Sequence, residues 1–159
     1  MKQKADLTLA QIQQAWNFAE TINEEYDNFE RKDFLGAYIH KDQYNQDTEF
    51  GWCVEYILDQ EFLNQYSTTD ADIFCEANVR VLFFKNFKEN LINKRGEYSV
   101  FYKYENIYQS NRLQSQRQIS YITQENIDIL KKTYGLPDEV INEYIKTNFF
   151  YEPSIQHNI

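Results

Sequence analysis

The stretch Thr8–Asp33, TLAQIQQAWNFAETINEEYDNFERKD, decides how the fold is read. Its apolar residues Leu9, Ile12, Trp16, Ala19, Ile22, Tyr26 and Phe29 recur at gaps of three and four, which predicts one apolar stripe along a helix. Thr8 stands where an N-cap is needed and Gln11 three residues later, the spacing of a capping box. Leu7 and Ile12 are placed to staple that end. The opposite face carries Glu20, Glu24, Glu25, Asp27 and Glu30, so the expected helix lays its stripe on a core and turns an anionic face outward.

Downstream, residues 34–39 form a short apolar run, either the helix end at Gly36 or a first strand, and residues 41–48 read as polar loop. Residues 49–59 alternate, with Phe50, Trp52, Val54, Tyr56 and Leu58 on one side, which predicts a strand. A helical turn is expected over 60–66 and a loop at 67–70. Residues 77–87, rich in Val and Phe, predict a strand buried on both faces. A polar connector over 88–95 with a turn at Gly96 would return the chain as a strand over 97–107, paired antiparallel with 77–87. Residues 108–116 read as a wide turn and 117–122 as a fourth strand. Thr123 caps a helix through Lys132, Gly135 closes it, and Pro137 opens another with Val140, Ile141, Tyr144 and Ile145 as its stripe. The expectation is one α+β domain over 1–159, with 151–159 a frayed tail. It holds an N-terminal helix, an antiparallel sheet of about four strands and a C-terminal helical pair.

Residues that are 42% hydrophobic and 17% aromatic exclude a disordered chain. The net charge of −9 is unevenly spread: residues 1–78 hold 16 acidic and 5 basic side chains, residues 79–159 hold 9 and 11. An anionic field confined to one half attracts basic partners and repels phosphate backbones. Cys53 and Cys75 lie in apolar segments and read as buried thiols of a reducing cytosol, with a disulfide left open if their segments are neighbours. The start Met-Lys-Gln-Lys-Ala-Asp has no apolar h-region and no run approaches a membrane span, which predicts a cytoplasmic protein without membrane attachment.

Chemistry finds little footing. The histidines are His40 and His157, neither beside a cysteine motif, so acid–base, thiol and zinc catalysis are not expected. Asp70 and Asp72 form a DxD without the glycine and glutamate of a calcium loop. No glycine-rich phosphate loop and no nucleophile elbow occurs. The expectation is therefore no catalytic residue, no metal, no cofactor and no hydrolytic activity. Tyr98, Tyr102, Tyr104 and Tyr108 with Lys103 and Arg112 have the look of a base-stacking platform, but the acidic balance argues against nucleic acid.

Protein recognition fits better. Tyrosine and tryptophan beside carboxylates give rigid amphipathic area plus charges that steer a basic partner. In its size, its lack of catalytic residues, and the acidic block from Glu20 to Glu30 with Asp33, Asp42, Asp47 and Glu49, the chain resembles the immunity proteins of bacterial contact-dependent growth inhibition that neutralise ribonuclease toxins. The resemblance implies a cytoplasmic inhibitor that caps a basic toxin's active or substrate-binding face. It places Glu20, Glu24, Glu25, Asp27, Glu30, Asp33, Asp42, Asp47 and Glu49 at the interface. Two alternatives stand beside it. One is a phage-type nucleic-acid mimic whose helix face Glu20, Glu24, Asp27 imitates phosphates. The other is a small enzyme of unrecognised type.

Overall fold

Thr8 caps the first helix as its spacing predicts: its hydroxyl accepts from Gln11 N while the Gln11 side chain accepts from Thr8 N. Leu7 and Ile12 both lie against the same core. The structure is a computed structural model that describes residues 6–66, 73–93, 99–103, 111–117, 122–149 and 151–154. Gly96, Tyr98, Tyr104, Tyr108, Asp70, Asp72 and His157 lie outside the described residues, as do the expected 67–70 loop and most of the 117–122 strand.

Helix α1 covers Leu9–Phe18 and stops there, well short of Asp33. Ala19 is extended, and Glu20 exchanges backbone hydrogen bonds with Lys32. The reason lies in the polar residues of the acidic face. Asp27 Oδ1 accepts from Ile22 N and Asn23 N, and Asn23 Oδ1 accepts from Tyr26 N. Short polar side chains that capture nearby amides offer the backbone a turn in place of a helix. The expected continuous anionic helix face is thus a looped segment, and the chain re-enters as strand β1 (Glu30–Lys32), antiparallel to β2 (Tyr38–His40). A short 3₁₀ turn, Lys41–Gln43, follows.

Strands β3 (Trp52–Tyr56) and β4 (Val79–Phe83) pair antiparallel with Trp52 opposite Phe83 and Tyr56 opposite Val79. Both are buried on both faces over nearly their whole length. One face joins Trp16, Ala15 and Ile39 in a first core; on the other, Cys53 and Leu82 meet Phe87. Gly51 enters β3 where a β-carbon would run into the backbone carbonyl of Gln46. Gly51→Ala is accordingly expected to destabilise the fold by about 1–3 kcal/mol, read as a lowered denaturation midpoint with an unchanged m-value.

The four-stranded sheet is replaced, among the described residues, by three two-stranded antiparallel ribbons. Helix α3 (Phe84–Asn93) follows β4 directly and takes the place of the end of the expected 77–87 strand and of most of the 88–95 connector. The free edge of β4 is covered by the turn after β1: Phe34 N donates to Val81 O and Phe83 N to Asp33 Oδ2. Among the described residues these contacts take the place of a third strand on that edge. Strand β5 (Ser99–Lys103) instead pairs with β6 (Arg112–Arg117), which occupies the expected wide turn.

The rest follows its caps. Helix α2 (Gln60–Asn64) is capped by Asp59. Helix α4 (Gln124–Tyr134) starts on a Thr123–Asn126 capping box and ends at Gly135 with φ 61°; α5 (Asp138–Phe149) begins after Pro137. Ile127, Leu130, Ile141, Ile145 and Phe149 of this pair form a second core with Leu58, Leu63 and Ile73. Tyr56 touches both cores. Tyr144 Oη donates to Asp59 Oδ2 and accepts from Asp59 N, locking α5 to the α2 cap. Residues 151–154 are anchored, since Tyr151 lies on the second core and Ser154 N donates to Gln124; 155–159 lie outside the described residues. The cysteines carry free thiols, with Cys53 buried and Cys75 only half-buried.

Candidate functional site

The acidic residues fall into three groups. Glu20, Glu24, Glu25, Asp42 and Glu49 are exposed to solvent. A second group engages the chain itself. Asp27 is half-buried, holds the 22–23 amides with its carboxylate, and accepts from Trp16 Nε1 and Arg31 Nε with its carbonyl. Glu30 faces its cross-strand partner, with Oε2 2.8 Å from His40 Nε2. Asp47 lies 3.1 Å from Lys85 Nζ and 3.3 Å from Lys88 Nζ of α3, and these ammonium groups hold its carboxyl below the usual aspartate range.

Asp33 stands apart and corrects the sequence reading, for it is fully buried and cannot meet a partner. Its Oδ1 accepts from Leu35 N and Ala37 N at 2.9 and 2.8 Å; its Oδ2 accepts from Phe83 N and Asn86 Nδ2 at 2.9 and 3.0 Å. Asn86 in turn donates to Tyr102 O and accepts from Tyr102 N. One carboxylate therefore joins the β1–β2 turn, β4, α3 and β5. Burial pushes its pKa up to about 6, against the lowering effect of its four donors. The signal for this role is the Asp33–Gly36 spacing of a side-chain-stabilised turn.

Glu20 and Asp42 each line a pocket. One, of about 520 Å³, lies between the end of α1, the 34–35 turn, β4 and the start of α4; Glu20 and Glu76 line it with Arg80. Arg80 is buried, 3.8 Å from Glu55 and with its guanidinium 4.3 Å from the centre of the Phe34 ring. The other, of about 510 Å³, is lined by Asn28, Phe29, His40, Lys41 and Asp42. Its Phe29 is 51% exposed although the helical stripe assigned it to the core. Periodicity hid this residue, because the helix that would have buried it ends at Phe18.

Three tyrosines of the aromatic platform, Tyr98, Tyr104 and Tyr108, lie outside the described residues. Of its described members, Tyr102 is half-buried and packs edge-on against Phe83 at 5.6 Å, while Lys103 and Arg112 are exposed. Among the described residues no group of three or more His, Cys, Asp or Glu is arranged to hold a metal, and no helix is long and apolar enough to cross a membrane. No family model, no curated protein and no solved structure matches the chain.

Proposed function

We propose that this chain is an acidic cytoplasmic binding protein that neutralises a basic toxin, foremost a nuclease toxin of a contact-dependent inhibition system, by capping its active or substrate-binding face. The observation that supports the reading most is the group of exposed carboxylates Glu20, Glu24, Glu25, Asp42 and Glu49, all in the half whose acidic residues outnumber basic ones 16 to 5. Exposed carboxylates steer a cationic partner and fix its register. The nucleic-acid mimic loses its main support, since Glu20, Glu24 and Asp27 do not share a helix face.

The experiment is to purify the chain together with the product of the gene directly upstream of its own and to assay that product for nuclease activity. A stoichiometric complex in which activity is lost, and cells protected by co-expression, are the expected results. A neighbouring gene product that forms no complex and stays fully active would contradict the reading.

A further inference from the structure

Four rings run in a row beside the acidic segment. Tyr26 meets Phe29 edge-on at 5.7 Å, Phe29 meets His40 edge-on at 6.5 Å, and His40 stacks on Phe50 at 4.0 Å with an interplanar angle of 11°. The three elements that carry them are tied by backbone: Lys41 N donates to Phe29 O and His40 N to Phe50 O. Glu30 holds the His40 ring from the neighbouring strand. Phe29 and His40 line the 510 Å³ pocket with Asp42, whose carboxylate is exposed.

We infer that this pocket seats an arginine side chain of a basic protein partner, its guanidinium lying on the Phe29 ring and its N–H groups directed at Asp42. The inference rests on the proposed function and names the anchor within it. The chemistry favours arginine for two reasons. A planar, weakly hydrated guanidinium stacks on aromatic faces, whereas an ammonium is a compact and strongly hydrated charge. Its fork of donors also matches a carboxylate. Lys41 lines the pocket as well and balances Asp42; the anionic excess around the pocket is that of residues 1–78, with 16 acidic and 5 basic side chains. An exposed aromatic ring with a charged rim is the composition of an interface anchor.

The probe is a capped Gly-Gly-Arg-Gly-Gly peptide, with its neutral citrulline counterpart as control, followed by NMR of the aromatic side chains. The arginine peptide is expected to shift the Phe29, His40 and Phe50 resonances and the citrulline peptide is not. Phe29→Leu, which keeps the apolar bulk and loses the ring face, should weaken binding about two- to fivefold. Adding Asp42→Asn should bring the loss to about tenfold or more. Equal shifts with citrulline, or shifts confined to residues outside the pocket, would overturn the inference. The two readings separate cleanly. A basic partner that still depends on Glu20, Glu24 and Glu25 but ignores Phe29→Leu removes the anchor alone. A partner indifferent to all these changes removes the proposed function, even if the arginine peptide binds.

Discussion

Replacing Asp33 with alanine is expected to lower the unfolding free energy by at least about 3 kcal/mol, a drop in melting temperature of roughly 10 °C for a chain of this size. The substitution strands Leu35 N, Ala37 N, Phe83 N and Asn86 Nδ2, all of which now end on this carboxylate. Each buried donor left without an acceptor costs about 1–3 kcal/mol, and the four are not additive because the site relaxes. Asp33→Asn, nearly the same shape, restores one oxygen and turns an NH₂ toward the remaining donors, so it should fall between wild type and alanine. The pH dependence has a defined sign. The folded pKa of about 6 lies above the ordinary aspartate value of 3.8, so between these the folded state holds more proton than the unfolded state. This group's contribution to stability is therefore full below about 4, is lost as pH rises to about 6, and is flat beyond that. Both variants should lack that loss when unfolding is followed from pH 4 to 7. An alanine variant that melts within a degree or two of wild type would show that the four donors find other partners.

Truncating Trp16 to alanine is expected to cost about 3–5 kcal/mol. The side chain is 1% exposed, its ring centre lies 5.4 Å from that of Trp52, and the Arg31 guanidinium sits over it at 5.6 Å. A void here opens in the core that α1 shares with β2 and both central strands. Trp16→Phe separates packing from polarity, because it keeps most of the ring and loses the 3.0 Å hydrogen bond to Asp27 O. It should cost about 1 kcal/mol more than its lost volume alone and loosen the 20–29 segment, seen as faster amide exchange there. Unchanged midpoints in both variants would mean that α1 docks elsewhere.

These two residues also show what the sequence could and could not disclose. Trp16 was legible, because a capped helix start with an apolar stripe leaves a central tryptophan few places but the core. The end of that helix was not. Ala19, Ile22, Tyr26 and Phe29 continue the stripe faithfully, while Asn23 and Asp27 break it by capturing amides, an event without periodicity. Asp33 misled through its charge, since a carboxylate reads as surface until its four donors are seen. The passage from β4 into α3 carries no glycine or proline, so strand and helix run together as one apolar string. The α4–α5 pair was legible throughout because Thr123, Gly135 and Pro137 each have a single geometric meaning there. For the candidate site, the excess of charge was visible in the sequence. Which carboxylates stay exposed depended on turns that composition does not reveal.

That sorting directs the decisive measurement. Asp27 and Asp33 serve the fold and Asp47 is paired with Lys85 and Lys88, so the binding surface is probed with Glu20, Glu24 and Glu25, exposed and together reversible to lysine. Association and dissociation rates for the basic partner found by co-purification are measured against wild type and the triple variant across salt, after circular dichroism confirms the fold. Wild type should associate fast at low salt and slow as the Debye length falls from about 10 Å at 0.1 M to about 3 Å at 1 M, whereas the variant should start slow and lose that dependence. Identical association rates and identical salt dependence in the two proteins would contradict an acidic docking surface on this half of the chain.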